Sequence, residues 1–527
     1  MLYKIRLLPF NKLIALTFGV LIFATSCKKD PKNSTTSTPT PTTPTVAPTR
    51  VELTKDSIYL YARETYYWND QMPSYEVFKP RNYASNQAVL DAIRALPGTG
   101  KPFWTTANDI VPREKYSFLD DGSLSTSLGG VSGDFGFSVF YNSAEDLRIK
   151  FVSPNSPASA TDLKRGYQIT TLNGRSGADL SSTVSSNVSF VSNAVFGSAS
   201  TVSLTVKKPD GTTKNLNITR ATYANDPIFT TKMFTVGSKK VAYIVYNSFT
   251  TNSRETLKSA IAKFHTDGAT ELIVDLRYNG GGSVATAEVF SNLLAPASVN
   301  GQVMYTTFWT KTMQDGLAKI LVNQPLLDAN GKLQTFTNGV NGKWATYADI
   351  DYRPIASAGN LENFNKEGSA EFNKIYFLVL GGSASASELV INNLKGVMGN
   401  NIKLIGRKTN GKPVGFFAIK IDKLDLYIPQ FETKNQKNEG GYYAGLNVDK
   451  DLPDDVTRDF GDPNESLLAA ALSYSEKGTF SFSPKGNTLT SLSPISSNQE
   501  KVLNEALAEK DKFEGMIYDK PLKLKKQ

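Results

Sequence analysis

Three turns between residues 270 and 415 hold the side chains whose types and spacing could do chemistry. In the first, Val274-Asp275-Leu276-Arg277-Tyr278-Asn279-Gly280-Gly281-Gly282, an apolar strand runs into three glycines and a helix from about Ser283. Such glycines let the backbone turn sharply and present N–H groups beside a partly positive helix end, which suits an oxyanion hole. Glycines needed only for a tight turn would look the same. In the second, an apolar run (Ile375 to Leu380) leads through Gly381-Gly382-Ser383-Ala384-Ser385-Ala386-Ser387-Glu388 into a helix. A serine on a strand–turn–helix bend can serve as a nucleophile, or it can simply cap the helix. The third, Gly406-Arg407-Lys408-Thr409-Asn410-Gly411-Lys412-Pro413, nearly spells a phosphate-binding loop. Pro413 stands where that loop needs a hydroxyl, and Val414 to Ile421 reads as strand where it needs a helix, so nucleotide hydrolysis is set aside. Lys412 is instead a candidate general base for a serine, provided its surroundings favour the neutral amine.

The remaining base candidate is His265, the single histidine of the 527 residues. It falls at the end of a helix containing Phe264, where a cation suits the helix electrostatically. One His and one Cys exclude a disulfide framework and any metal site built from several such ligands. The net charge of +9 is modest, and no dense basic stripe interleaved with aromatics calls for nucleic acid.

The elements that must position these turns begin near residue 239. Val241 to Tyr246 and Leu272 to Leu276 read as strands around an amphipathic helix (Leu257, Ala260, Ile261, Phe264), a βαβ rhythm that predicts a mostly parallel sheet. Residues 51–121 read as a helical, aromatic-rich cap. Its first helix is expected to run until Pro73 stops it, and its second from Ser85 to Leu96. Residues 122–222 read as β, with a hairpin turning at Pro209-Asp210-Gly211. Residues 477–527 read as a tail, with a short helix from about Asn498 and a solvated basic end, and carry no assigned function.

At the start, Lys4, Arg6 and Lys12 precede an apolar run, Leu13 to Ala24, and then Ala-Thr-Ser-Cys. This predicts a signal peptide over 1–26. The pattern resembles a bacterial lipobox, which implies lipidation of Cys27. Residues 27–50 follow as a Pro- and Thr-rich linker that holds the folded part away from a membrane.

Within 122–222, Ser156-Pro157-Ala158, Leu163, Gly166, Ile169 and Asn173-Gly174 resemble a PDZ domain of the bacterial protease type. That resemblance implies capture of peptide C-termini by strand addition at Phe135, Gly136, Phe137 and Ser138. The three turns, in this order behind such a region, resemble the carboxyl-terminal processing (tail-specific) peptidases. Asp275-Leu276-Arg277, Asn279 and Gly281-Gly282 match one family motif. Ser385-Ala386-Ser387-Glu388 matches a second, and Gly406, Gly411 and Lys412 a third. Lys115 to Ser117, Gly445 and Pro453-Asp454 resemble further landmarks. The resemblance implies a multidomain α+β chain whose 230–476 segment is an α/β, crotonase-like protease domain. It makes Ser385 the nucleophile and Lys412 the base, with N–H groups of Gly281 or Gly282 and of Ala386 as the oxyanion hole. No metal or cofactor is implied. The reading is an exported, lipid-anchored serine endopeptidase of the cell envelope, facing the periplasm or the cell surface and acting on unfolded or C-terminally exposed proteins. The alternative is a non-catalytic peptide- or ligand-binding protein on the same scaffold. Many members carry a Gln four residues after the Lys; here that position is Phe416, which cannot hydrogen-bond.

Overall fold

The computed structural model describes residues 47–104, 111–328, 330–480, 507 and 515–525. The expected signal peptide, Cys27, most of the linker and the expected helix from Asn498 lie outside these residues.

Thr49 and Glu52 form a capping box that starts the helix Arg50–Thr65. The helix stops well before Pro73, because Tyr66 turns to extended backbone while its N–H still bonds the Ala62 carbonyl. Ser85 caps the helix Asn86–Ala95 by accepting from the Ala88 N–H at 3.1 Å, and Val89, Leu90 and Ile93 face inward. The strand Phe118–Asp120 then pairs antiparallel with Leu424–Tyr427. Ile58, Tyr61, Tyr66 and Trp68 share one hydrophobic core with the central sheet, so this helical segment has no core of its own.

A second core belongs to residues 135–218. Five strands, Phe137–Ser143, Asp146–Val152, Gln168–Leu172, Thr201–Lys207 and Thr213–Thr219, neighbour one another in that order. The last two make the hairpin, with Val202 opposite Ile218 and Leu204 opposite Leu216 on the buried face. Leu507 is buried in the same core at 4% exposure.

The central sheet has the order Ile228–Val236, Lys239–Tyr246, Glu271–Asp275, Lys374–Val379, Ile402–Gly406, Lys450–Asp451. Its first pair is antiparallel and the others are parallel. Both faces are covered, which explains the continuous apolar runs. Ile244, Val274 and Phe377 enter the core of the helices Arg254–Thr266, Val284–Leu294 and Ala386–Met398. On the other face, Tyr243, Ile273 and Leu378 meet Leu467 and Leu468 of the helix Ser466–Lys477.

The largest departure from the sequence reading concerns the 515–525 segment. Gly515–Ile517 is a strand, pairing parallel with Gly281–Ser283. Met516, Ile517 and Tyr518 are buried. In place of the expected solvated end, Ile517 packs against Phe416 and Tyr427, Met516 and Tyr518 enter the main core, and Leu522 and Leu524 lie half-buried against it, with Lys523 and Lys525 exposed.

Candidate active site

The parallel sheet brings the turns after Glu271–Asp275, Lys374–Val379 and Ile402–Gly406 to one edge, where such sheets present their chemistry. Ser385 stands between strand and helix with φ 60° and ψ −109°, backbone that a residue with a side chain adopts only under strain. The three serines of this turn are not equivalent. Ser383 Oγ accepts from the Leu380 N–H at 3.0 Å and donates to the Leu276 carbonyl at 2.7 Å. Ser387 Oγ donates to the Asn279 carbonyl at 3.0 Å. Both lock the serine turn onto the glycine turn. Ser385 Oγ is buried with no hydrogen-bond partner. A buried hydroxyl left unpaired costs stability unless something else uses it.

Glu388 ties the serine turn to the lysine turn. Its carboxylate accepts from the Ser385 N–H at 2.9 Å, the Gly411 N–H at 2.7 Å, the Lys412 N–H at 2.8 Å and the Thr409 hydroxyl at 2.5 Å. Ser385 and Lys412 donate to the same oxygen, so their backbones are held side by side. Burial pushes the Glu388 carboxyl up from its ordinary range, against the lowering effect of these four donors.

Lys412 is 2% exposed, with Nζ 4.4 Å from the centre of the Phe416 ring and 5.8 Å from that of Tyr116. Where the family resemblance implies a Gln, this chain offers an aromatic face to the amine. The Lys115–Ser117 landmark clamps the loop: Lys115 Nζ donates to the Asn410 carbonyl at 2.6 Å, and Tyr116 OH to the Gly411 carbonyl at 2.6 Å.

Gly281 approaches the serine so closely that a Cβ there would lie 2.9 Å from Ser385 Cβ and 2.4 Å from the Gly515 carbonyl oxygen. Its own N–H is already given to Asn279 Oδ1 at 2.9 Å. Of the two glycines expected to hold an oxyanion, Gly282 therefore keeps the candidate N–H. Ala386 opens its helix, and its N–H is one of those that a helix cannot bond internally.

Beneath the glycine turn lies a buried ionic cluster that sequence reasoning did not resolve into partners. Arg277 pairs with Asp275 at 2.8 Å, Asp454 at 2.9 Å and Glu465 at 2.8 Å. Arg165, from the second core's segment, also reaches Asp454 at 2.9 Å. Burial would raise the Asp454 carboxyl, but the two guanidiniums outweigh it and hold it down to about 2. The motif's Asp and Arg are thus the footing of the turn.

Of the segment expected to take a peptide end, Phe135 and Phe137 are buried in the second core and Ser138 is 2% exposed. There the Gly136 N–H is engaged by Asp134 at 2.7 Å, and a Cβ on Gly136 would collide with Ser156. His265 is exposed in the last turn of Arg254–Thr266, away from the serine. Among the described residues no group of three or more His, Cys, Asp or Glu is arranged to hold a metal ion.

The glycine, serine and lysine turns all fall inside residues 240–444, which match the model for Peptidase family S41. Over 218 residues it is 27% identical to a carboxyl-terminal-processing protease of a Picosynechococcus species, an alignment covering 40% of this chain. The chain spans about half the length (51%) of that curated relative. A Bacteroides fragilis structure classed with the S41 proteases shares the fold, with 21% identity and a TM-score of 0.50 over 80% of this chain and 97% of that one. The photosystem II D1 C-terminal processing protease superimposes with 16% identity and a TM-score of 0.41, over 77% and 94% of the two chains.

Proposed function

We propose that this chain is a serine endopeptidase whose nucleophile is Ser385 and whose general base is Lys412. The observation that carries the reading is the unpartnered Ser385 hydroxyl on a strained turn, held beside Lys412 by one shared carboxylate. In the reaction, Ser385 Oγ attacks the scissile carbonyl carbon while its proton passes to the neutral Lys412 amine. The Gly282 and Ala386 N–H groups stabilise the negative charge that develops on the carbonyl oxygen. The C–N bond then breaks and the leaving amine takes the proton from Lys412. Water, deprotonated by the same lysine, attacks the acyl carbon; the ester C–O bond breaks and Ser385 Oγ takes the proton back from Lys412. Burial of the pair supports this use of lysine, because a dry setting disfavours its charged form.

The finer parts of the reading rest on sequence patterns. The PDZ-like segment, with its edge strand Phe137–Ser143, receives C-terminal ends of unfolded substrates. Cys27 carries the lipid that anchors the enzyme at the envelope. The test compares wild type, Ser385→Ala and Lys412→Ala on an unfolded protein. We expect each substitution to lower the cleavage rate at least about a thousandfold. Equal cleavage by all three would remove both residues from the chemistry, and a folded but inert wild type would favour the binding-protein alternative.

A further inference from the structure

The segment Gly515–Tyr518 lies between two backbone edges and bonds to both. On one side the Gly515 N–H donates to the Gly280 carbonyl at 3.1 Å, and the strand runs parallel to Gly281–Ser283. On the other, the Phe416 N–H donates to the Met516 carbonyl at 3.0 Å, and the Tyr518 N–H to the Phe416 carbonyl at 2.9 Å. In a parallel ladder of this register, the Gly515 carbonyl points at the Gly282 N–H. That N–H is the one left for an oxyanion, and the Gly515 oxygen crowds the same Gly281 position that touches Ser385. Ser385 is 0% exposed, so a substrate reaches it only after something covering it has moved.

We propose that the slot between Gly280–Ser283 and Phe416 is where an extended substrate backbone lies, and that residues 515–518 of this chain occupy it as a plug that substrate must displace. The inference rests on the protease reading above. Remove the segment and two strand edges face each other with unpaired N–H and C=O groups, the requirement for taking up a peptide by strand addition. The occupant is secured at its far end. Asp519 accepts from the Ser283 hydroxyl at 2.6 Å and the Ala285 N–H at 3.1 Å, and pairs with Arg254 at 3.0 Å. Lys520 joins Glu288 at 2.6 Å and Glu362 at 2.5 Å. These anchors are polar, and the part beside Ser385 is backbone; displacement must also expose Met516 and Tyr518, which enter the main core, and Ile517, which packs on Phe416 and Tyr427.

The experiment compares the full chain with two variants, deletion of residues 498–527 and the full-length Gly515→Pro, which lacks the N–H given to Gly280 and crowds its carbonyl. Readouts are cleavage of an unfolded protein, labelling of Ser385 by a fluorophosphonate probe, and a melting transition to establish folding. We expect both variants to react at least about tenfold faster than wild type. A synthetic peptide of residues 515–527, added to the deletion variant, should restore the slow rate competitively. Folded variants that react no faster overturn the proposal. So does failure of both variants to fold, since the segment would then be a permanent strand. If wild type and folded variants alike neither cleave nor label, the protease reading fails. Binding of a fluorescent 515–527 peptide to the deletion variant then still decides the slot.

Discussion

At the scale of single residues, four donors converge on Glu388, and only a carboxylate accepts all of them without facing a donor of its own. Glu388→Gln turns one acceptor into an amide that meets a backbone N–H. We expect a loss of about 1–3 kcal/mol in unfolding free energy, read from urea melts. A fall in the rate of unfolded-protein cleavage should go with it, because the Lys412 turn loses its tie to Ser385. Ser385, Lys412 and Glu388 were legible in the sequence as types in the right order. What could not be read was which of three serines keeps a free hydroxyl, since that depends on Leu276 and Asn279 carbonyls from a turn more than a hundred residues earlier. Asn279 was legible as a motif position, but not as the partner that takes the Gly281 N–H.

Among the elements, the alternating strands and helices from 239 onward announced themselves by continuous apolar runs, which belong to strands covered on both faces. The hairpin at 201–219 announced itself by period two. The strand Gly281–Ser283 gave no such signal, because three small residues carry neither apolar period nor β-propensity. Its partner Gly515–Ile517 is three residues long in a lysine-rich stretch, where charge outweighs the pattern. The closeness of these two strands makes a sharp prediction. Gly281→Ala, at φ 109°, sets a methyl group 2.4 Å from the Gly515 oxygen and 2.9 Å from Ser385 Cβ. Even where the strand pair parts, the methyl still meets Ser385 Cβ, so the serine must shift. The expected outcome is loss of Ser385 labelling by the serine probe, together with a lower melting temperature.

For the whole molecule, the cluster of Arg165, Arg277, Asp275, Asp454 and Glu465 joins three distant stretches of chain. Asp454 is ionised down to about pH 2 in the folded protein and to about 4 when unfolded. A carboxylate lowered in this way stabilises the fold fully above the unfolded value and ceases to do so as pH falls through the folded one. Between about pH 4 and 2 the wild type should therefore lose about 2 kcal/mol through this group, while Asp454→Asn is less stable at neutral pH and has a flatter acid slope in urea melts. The sequence marked Asp454 and Arg277 separately; their pairing, and the arrival of Arg165, are matters of long-range packing that no local pattern encodes. The placement of Leu507 in the second core and of Gly515 next to Ser385 has a metric consequence. Eight residues drawn straight reach no farther than about 28 Å. The burial place of Leu507 in the second core and the strand beside Ser385 therefore lie within that distance of each other.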